Sequence, residues 1–223
     1  MYSLVLFAHA SVGALALIAY WTAGLAKKGS PVHRAAGKVF MLAMLFILAS
    51  ALVFVSRFVA RGLLMQAAFF AYLFVISATA LATGWLALKL KKDHRRYTGA
   101  WYRALGAFNV VCGAGILVLG LHGGGAVFTG FSMVGILRGG LMLKLSRQAP
   151  SPRWWLREHL GSMIGNGVAV HVAFLLVGLN RLLPEQWQGH TTTLGWLLPL
   201  LVAAVAGVML GRKYLGPKQA AVS

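Results

Sequence analysis

Seven apolar runs, separated only by short gaps, leave this chain few ways to fold. They extend from Leu4 to Leu25, Gly37 to Val55, Met65 to Leu88, Ala104 to Leu121, Ala126 to Leu143, Leu160 to Leu182 and Thr193 to Leu210. A helix rising about 1.5 Å per residue crosses about 30 Å of hydrocarbon in roughly 20 residues, which is close to the length of each run. Hydrocarbon offers the backbone no partner, so a spanning segment satisfies its own N–H and C=O groups as a helix. The expected fold is all-α, a single polytopic membrane domain over residues 1–223 with seven transmembrane helices.

Composition points to the same solvent. With 59% hydrophobic residues and three carboxylates in 223 residues, the chain carries more apolar surface than a soluble domain buries. A net charge of +18 would suggest nucleic acid in a soluble protein. Here the charges sit between apolar runs, so the expected partners are anionic lipid head groups and no nucleic acid.

The charges also give a topology. If the runs cross in alternate directions, the gaps after runs one, three, five and seven, counting Arg138, hold eighteen of the twenty-one Lys and Arg residues. Arg57, Arg61 and Arg181 fall on the other side. Basic loops stay cytoplasmic, which puts the N-terminus outside and the C-terminus inside. Lys27 and Lys28 follow the first run and no basic segment precedes it, so it is expected to be a retained span. Trp85, Trp101, Tyr102, Trp154, Trp155, Trp187, Trp196 and Tyr214 lie near predicted span ends, where amphipathic rings favour the head-group layer. Ser151 with Pro152 is expected to start a helix, with Ser151 to Glu158 lying in the interface. Three small-residue pairs, Gly135 with Gly139, Gly161 with Gly165 and Gly207 with Gly211, predict close helix contacts. Faces of this kind also suit a larger membrane complex or a second copy of the chain.

Missing residues exclude several mechanisms. No Lys lies in the middle of the seventh run to form a Schiff base, and no carboxylate lies within a run. Asp93 and Glu158 are expected at the cytoplasmic surface and Glu185 in an outer loop. Carboxylate-driven proton transport and zinc hydrolysis with an acidic base are therefore disfavoured. Phosphate-binding loops and paired cysteines are absent, and Cys112 is the single cysteine.

Histidine is the side chain left in the runs with ligand or acid-base capacity. His33, His94 and His159 are expected at the cytoplasmic face, His9, His122 and His190 toward the outside, and His171 near mid-membrane. His9, Gly13, Ala16 and Tyr20 share one helical stripe; His159, Ser162 and Asn166 form another, with His171 turned by about 120° from His159. Two readings compete: interhelical hydrogen bonding, or a pocket between runs one, four and six, entered from outside and lined by His9, Tyr20, Asn109, His122 and His171. Pairing His9 with His171 or His122 would be needed for a b-type haem; a quinone is the other redox cofactor such a pocket could take. Gly29 to Arg34 reads as a tight turn into the second span. There Arg34 can bind a lipid phosphate, as can Lys38, or pair with Glu158, which would bring His33 beside His159 as a metal or proton-transfer pair.

His9, Gly13, Ala14, Leu15 and the step Gly29 through Lys38, with His33, Arg34 and Gly37, resemble a bacterial family of multi-pass membrane proteins classed as a domain of unknown function. Arg157, His159, Met163, Ala173 and Phe174 are similar to a second block of that family. The resemblance implies a bacterial inner-membrane location, draws attention to His9, His33, Arg34 and His159, and carries no activity. The chain is thus expected to be an integral membrane protein with a histidine-lined site, haem or quinone binding in a redox role being the first specific expectation. Lipid binding, small-molecule transport or an accessory subunit role are the alternatives, and no catalytic residue is assigned.

Overall fold

A computed structural model describes residues 2–178 and 192–216. Among them the structure is helical throughout: α1 (Tyr2–Leu25), α2 (Pro31–Ala60), α3 (Leu64–Lys89), the single turn α4 (His94–Tyr97), α5 (Ala100–Leu119), α6 (Gly125–Leu145), α7 (Trp154–Ala173) and α8 (Thr192–Leu215). Six stretches are long and apolar enough to cross a membrane, and one of these is the 46-residue stretch Ala100–Leu145. Expectations for Arg181, Glu185, Trp187, His190 and Lys218 fall outside the described residues.

Local chemistry sets several helix ends. Ser30 accepts the His33 N–H at 3.2 Å with Pro31 at the first helical position, so α2 begins before the apolar run does. Asp93 caps α4 through the Arg96 N–H at 2.9 Å. The cap expected at Ser151 is not formed. Instead Arg153 precedes α7 with φ 58°, and its guanidinium donates to the Tyr214 and Gly216 carbonyls at 2.6 and 3.0 Å. The arginine thus closes the far end of α8 rather than starting α7, a favourable place for a cation because helix C-termini carry partial negative charge.

The stretch Ala100–Leu145 is not one straight rod. His122 leaves helical geometry, and Gly123 and Gly125 adopt φ of 133° and 68°, values that L side chains avoid. The chain reverses there, and α5 packs antiparallel on α6 along a seam of small residues. On α5 the buried or seam-facing positions Tyr102, Gly106, Asn109, Gly113, Ile116 and Gly120 recur at alternating steps of four and three, the spacing that keeps one helix face against a partner. A Cβ on Gly113 would sit 2.9 Å from the Ser132 carbonyl oxygen, and one on Gly139 would strike the carbonyl of Gly106. The expectation for Gly135 and Gly139 holds. Gly207 and Gly211 face nothing within 4 Å, and the nearest neighbour of the Gly161 and Gly165 pair is Ala80, 3.8 Å from a Cβ on Gly165. Gly84 on α3, tight against Ser162 and Met163 of α7, does what that last pair was expected to do.

Hydrogen bonds join three loop segments at one end of the bundle and brace a fourth, the α1–α2 turn, on the end of its own helix. His33, following the α1–α2 turn, holds the Ala23 carbonyl; Tyr97 and Tyr102, flanking the α4–α5 junction, reach Glu158 at the start of α7; Arg153 ties the loop after α6 to the end of α8. His159 of α7 bonds the Gly84 carbonyl near the end of α3. The segments after α3, α6 and α8 therefore meet in space, the α1–α2 turn lies at the same end because α2 folds back on α3 with Phe58 against Phe70, and together these segments carry most of the Lys and Arg residues. This end is called the basic end below.

The glycine seam gives a direct test. Gly139→Ala should lower the thermal midpoint in detergent by the equivalent of about 1–3 kcal/mol of overpacking, whereas Gly207→Ala should leave it unchanged. Equal midpoints for the two variants would mean that α5 and α6 are not in the described contact.

Candidate functional site

Glu158, Ser162 and Asn166 stand four residues apart on α7, so they project from one face, and all three are buried. Thr79 and Thr83 repeat the spacing on α3. These two polar stripes face each other, Thr83 Oγ1 meeting Ser162 Oγ at 2.9 Å. Arg138, seven residues before the end of α6, enters from the third side.

Arg138 grips Glu158 with both arms of its fork, Nη2 to Oε2 at 2.8 Å and Nη1 to Oε1 at 3.2 Å. Tyr97 and Tyr102 donate to the same Oε2 at 2.7 and 3.0 Å. Arg138 Nη2 also reaches Thr83 Oγ1 at 3.3 Å. Taking a carboxylate and a guanidinium out of water costs several kcal/mol each, and only good geometry with extra donors offsets it. Four donor contacts on two oxygens supply that geometry, and three helical elements, α4, α5 and α6, converge on the one carboxylate of α7 to do so.

Glu158 therefore does not lie at the surface, and Arg34 is not its partner. Arg34 and Lys38 project exposed from the first turns of α2. Burial, and after it the Glu158 charge, push the Tyr97 hydroxyl far above its ordinary value, so Tyr97 stays a donor. His94 beside it is held below its usual range by burial, which outweighs the opposing pull of Glu158.

From the ion pair a polar file runs inward. Thr83 Oγ1 lies 2.8 Å from the Thr79 carbonyl, and Asn109 Nδ2 donates to Thr79 Oγ1 at 2.8 Å. Asn166 Nδ2 reaches the Ser162 carbonyl at 3.3 Å. Both amides are fully buried, yet Asn109 Oδ1 and Asn166 Oδ1 have no partner in the protein. Where the file meets the basic end, a cavity of about 50 Å³ touches His94, Tyr102, Gln148, Trp154, Arg157 and Glu158. That volume suits water, and it is far below the roughly 300–1,000 Å³ of metabolite sites.

The histidines are placed apart from this cluster and from one another. His9 Nδ1 meets Ser50 Oγ at 2.7 Å, and because Ser50 sends its own proton to α2 carbonyls, the imidazole is the donor. His171 donates Nδ1–H to the Gly167 carbonyl at 2.6 Å and accepts from Trp21 Nε1 at 3.0 Å, so both ring nitrogens are engaged. His122 bonds the Val118 carbonyl at the α5–α6 turn. Since His171 touches Trp21, twelve residues from His9 on α1, the two imidazoles lie about 18 Å apart along that axis. A haem between them does not fit these residues. Asn109 faces α3, and Tyr20 packs against Phe40 and His171 at the α1, α2 and α7 contact, so the expected pocket between runs one, four and six is not assembled.

His33 and His159 share no hydrogen bond and no ring contact. Each spends Nδ1–H on a carbonyl, of Ala23 at 2.9 Å and of Gly84 at 3.2 Å. No group of three or more metal-ligating side chains forms among the described residues.

Removing one charge and then both tests the ion pair. Glu158→Gln should destabilise the protein by about 3–5 kcal/mol, because it strands the Arg138 charge, while adding Arg138→Met should recover much of that loss. Chemical or thermal unfolding in mild detergent reads both, and a double variant no better than the single would sink the account.

Comparison of the chain with protein families, with curated proteins and with solved structures finds no match.

Proposed function

We propose that this is a bacterial inner-membrane protein that crosses the bilayer seven times, with its N-terminus outside and its basic end in the cytoplasm. Its role in this reading is binding: it engages anionic phospholipid of the inner leaflet. The 46-residue stretch Ala100–Leu145 supports the count, because about 69 Å of helix is more than twice the hydrocarbon thickness and its two halves fold back on each other. The observation that carries the binding role is a charge imbalance at the basic end. Only two carboxylates occur among the described residues; Asp93 caps α4 and Glu158 is held by Arg138. The remaining Lys and Arg of that end have no acidic partner in the described protein, and each is worth about 1 kcal/mol beside an anionic membrane surface. Exposed Arg34 and Lys38, on the stretch that resembles the uncharacterised bacterial family, belong to this set.

Single cysteines in a Cys112→Ala background test the topology. Gln148→Cys should be labelled by an impermeant thiol reagent only after the membrane is opened, and Gly62→Cys before; the reverse pattern would overturn the orientation. Reconstitution in phosphatidylglycerol should raise the thermal midpoint above that in phosphatidylcholine, and equal midpoints would count against the lipid role.

A further inference from the structure

At the basic end, where α3 gives way to α4 and α5, an open groove of about 340 Å³ is walled by Leu86, Leu90 and Trp101 and edged by Lys89 and Arg96. Leu86 lies on the last turn of α3, Lys89 ends that helix and Leu90 caps it, four residues after Leu86. Trp101 is fixed across from them. Its Nε1 donates to the Arg96 carbonyl at 3.2 Å, and its ring abuts Tyr97 and Tyr102 edge-on, with centroids 5.6 Å away in each case. An apolar floor with a locked indole at a helix end belongs to the head-group layer, where tryptophan concentrates.

Charge decides what can lie there. Lys89 and Arg96 flank the floor, and Lys91, Lys92 and Arg95 crowd the same loop. The loop has one carboxylate, Asp93, and its Oδ1 is taken by the Arg96 N–H. A second protein segment would have to bring its own acid. A phospholipid brings an anionic phosphate joined to an apolar glycerol ester and chain, which matches a cationic rim over an apolar floor.

On the reading of this end as an anionic-lipid surface, we propose that this groove is a specific phospholipid site: the phosphate sits between Lys89 and the Arg96 guanidinium, and the proximal acyl chain lies along Leu86, Leu90 and Trp101. Arginine suits the task because its fork donates two parallel hydrogen bonds to phosphate oxygens. The site adds one defined lipid to the diffuse attraction of the other cations.

The test uses full-length protein purified in mild detergent, titrated with phosphatidylglycerol or phosphatidylcholine and read by native mass spectrometry. The first bound phosphatidylglycerol should persist at activation that strips phosphatidylcholine. Lys89→Gln with Arg96→Gln should weaken that first binding by about tenfold, while Lys27→Gln with Lys144→Gln, which removes equal charge elsewhere on the same end, should leave it in place. Phosphatidylglycerol brominated on its acyl chains should quench wild-type fluorescence more than that of Trp101→Phe. Soluble glycerol phosphate should not displace the lipid; displacement would mean that the head group alone is bound and would overturn the acyl part of the site. Equal loss in the two charge variants overturns the groove and leaves the broader lipid reading standing, whereas no preference for phosphatidylglycerol in the wild type removes both. Matching thermal midpoints for the two double variants establish that folding is not what changed.

Discussion

Much of the basic end hangs on one carboxylate. Glu158 is the meeting point of α7 with α6 through Arg138, with α4 through Tyr97 and with α5 through Tyr102. Arg138 in turn touches Thr83 of α3. In lipid, apolar side chains gain little by touching each other rather than acyl chains, so packing and polar contacts must choose the helix partners. A buried ion pair is well suited to choosing, because any arrangement that separates it leaves a charge in a low-dielectric interior.

Packing supplies the other half of that choice. α5 and α6 approach through Gly106, Gly113, Gly135 and Gly139, and the same two helices deliver Tyr102, Asn109 and Arg138 to the polar file. Close approach and polar recognition are thus coupled: a backbone held apart by larger side chains could not bring Arg138 to Glu158. The unpartnered oxygens of Asn109 and Asn166 mark where this file is incomplete within the protein. Buried carbonyl oxygens in a spanning region are normally satisfied, so these two atoms are the exceptions in an otherwise paired file.

What the sequence discloses follows from which forces are local. Hydropathy reports transfer from water to lipid residue by residue, so runs such as Met65 to Leu88 coincide closely with α3 (Leu64–Lys89). The tight turn at Gly29 to Arg34 is equally local and equally visible, and in the structure Ser30 and Pro31 within it start α2. The site is not local. Glu158 reads as a loop-proximal charge because only a tertiary partner twenty residues away makes its burial tolerable, and Arg138 is hidden for the same reason. Two signals were present in the spacing: a lone arginine, Arg138, inside the run Ala126 to Leu143, and the step of four linking Glu158 to Ser162 and Asn166, a better stripe than the one beginning at His159. His171 misleads in the opposite direction. Its depth suggests a function, yet a carbonyl one turn back and the indole of Trp21 satisfy both nitrogens.

The ion pair also fixes the electrostatics of the surface beneath it. By consuming the one interior carboxylate of the basic end, Arg138 leaves Asp93 as the single remaining described acid there, and the cap of α4 occupies it. Mutual repulsion among the lysines and arginines is then relieved only from outside the described chain, by counterions or by lipid phosphates. Counterions are mobile and impose no geometry. A groove that sets an apolar floor between Lys89 and Arg96 does impose one, and an anionic amphiphile meets both demands together. The element that holds the helices together from within thus sets what their common surface can hold from without.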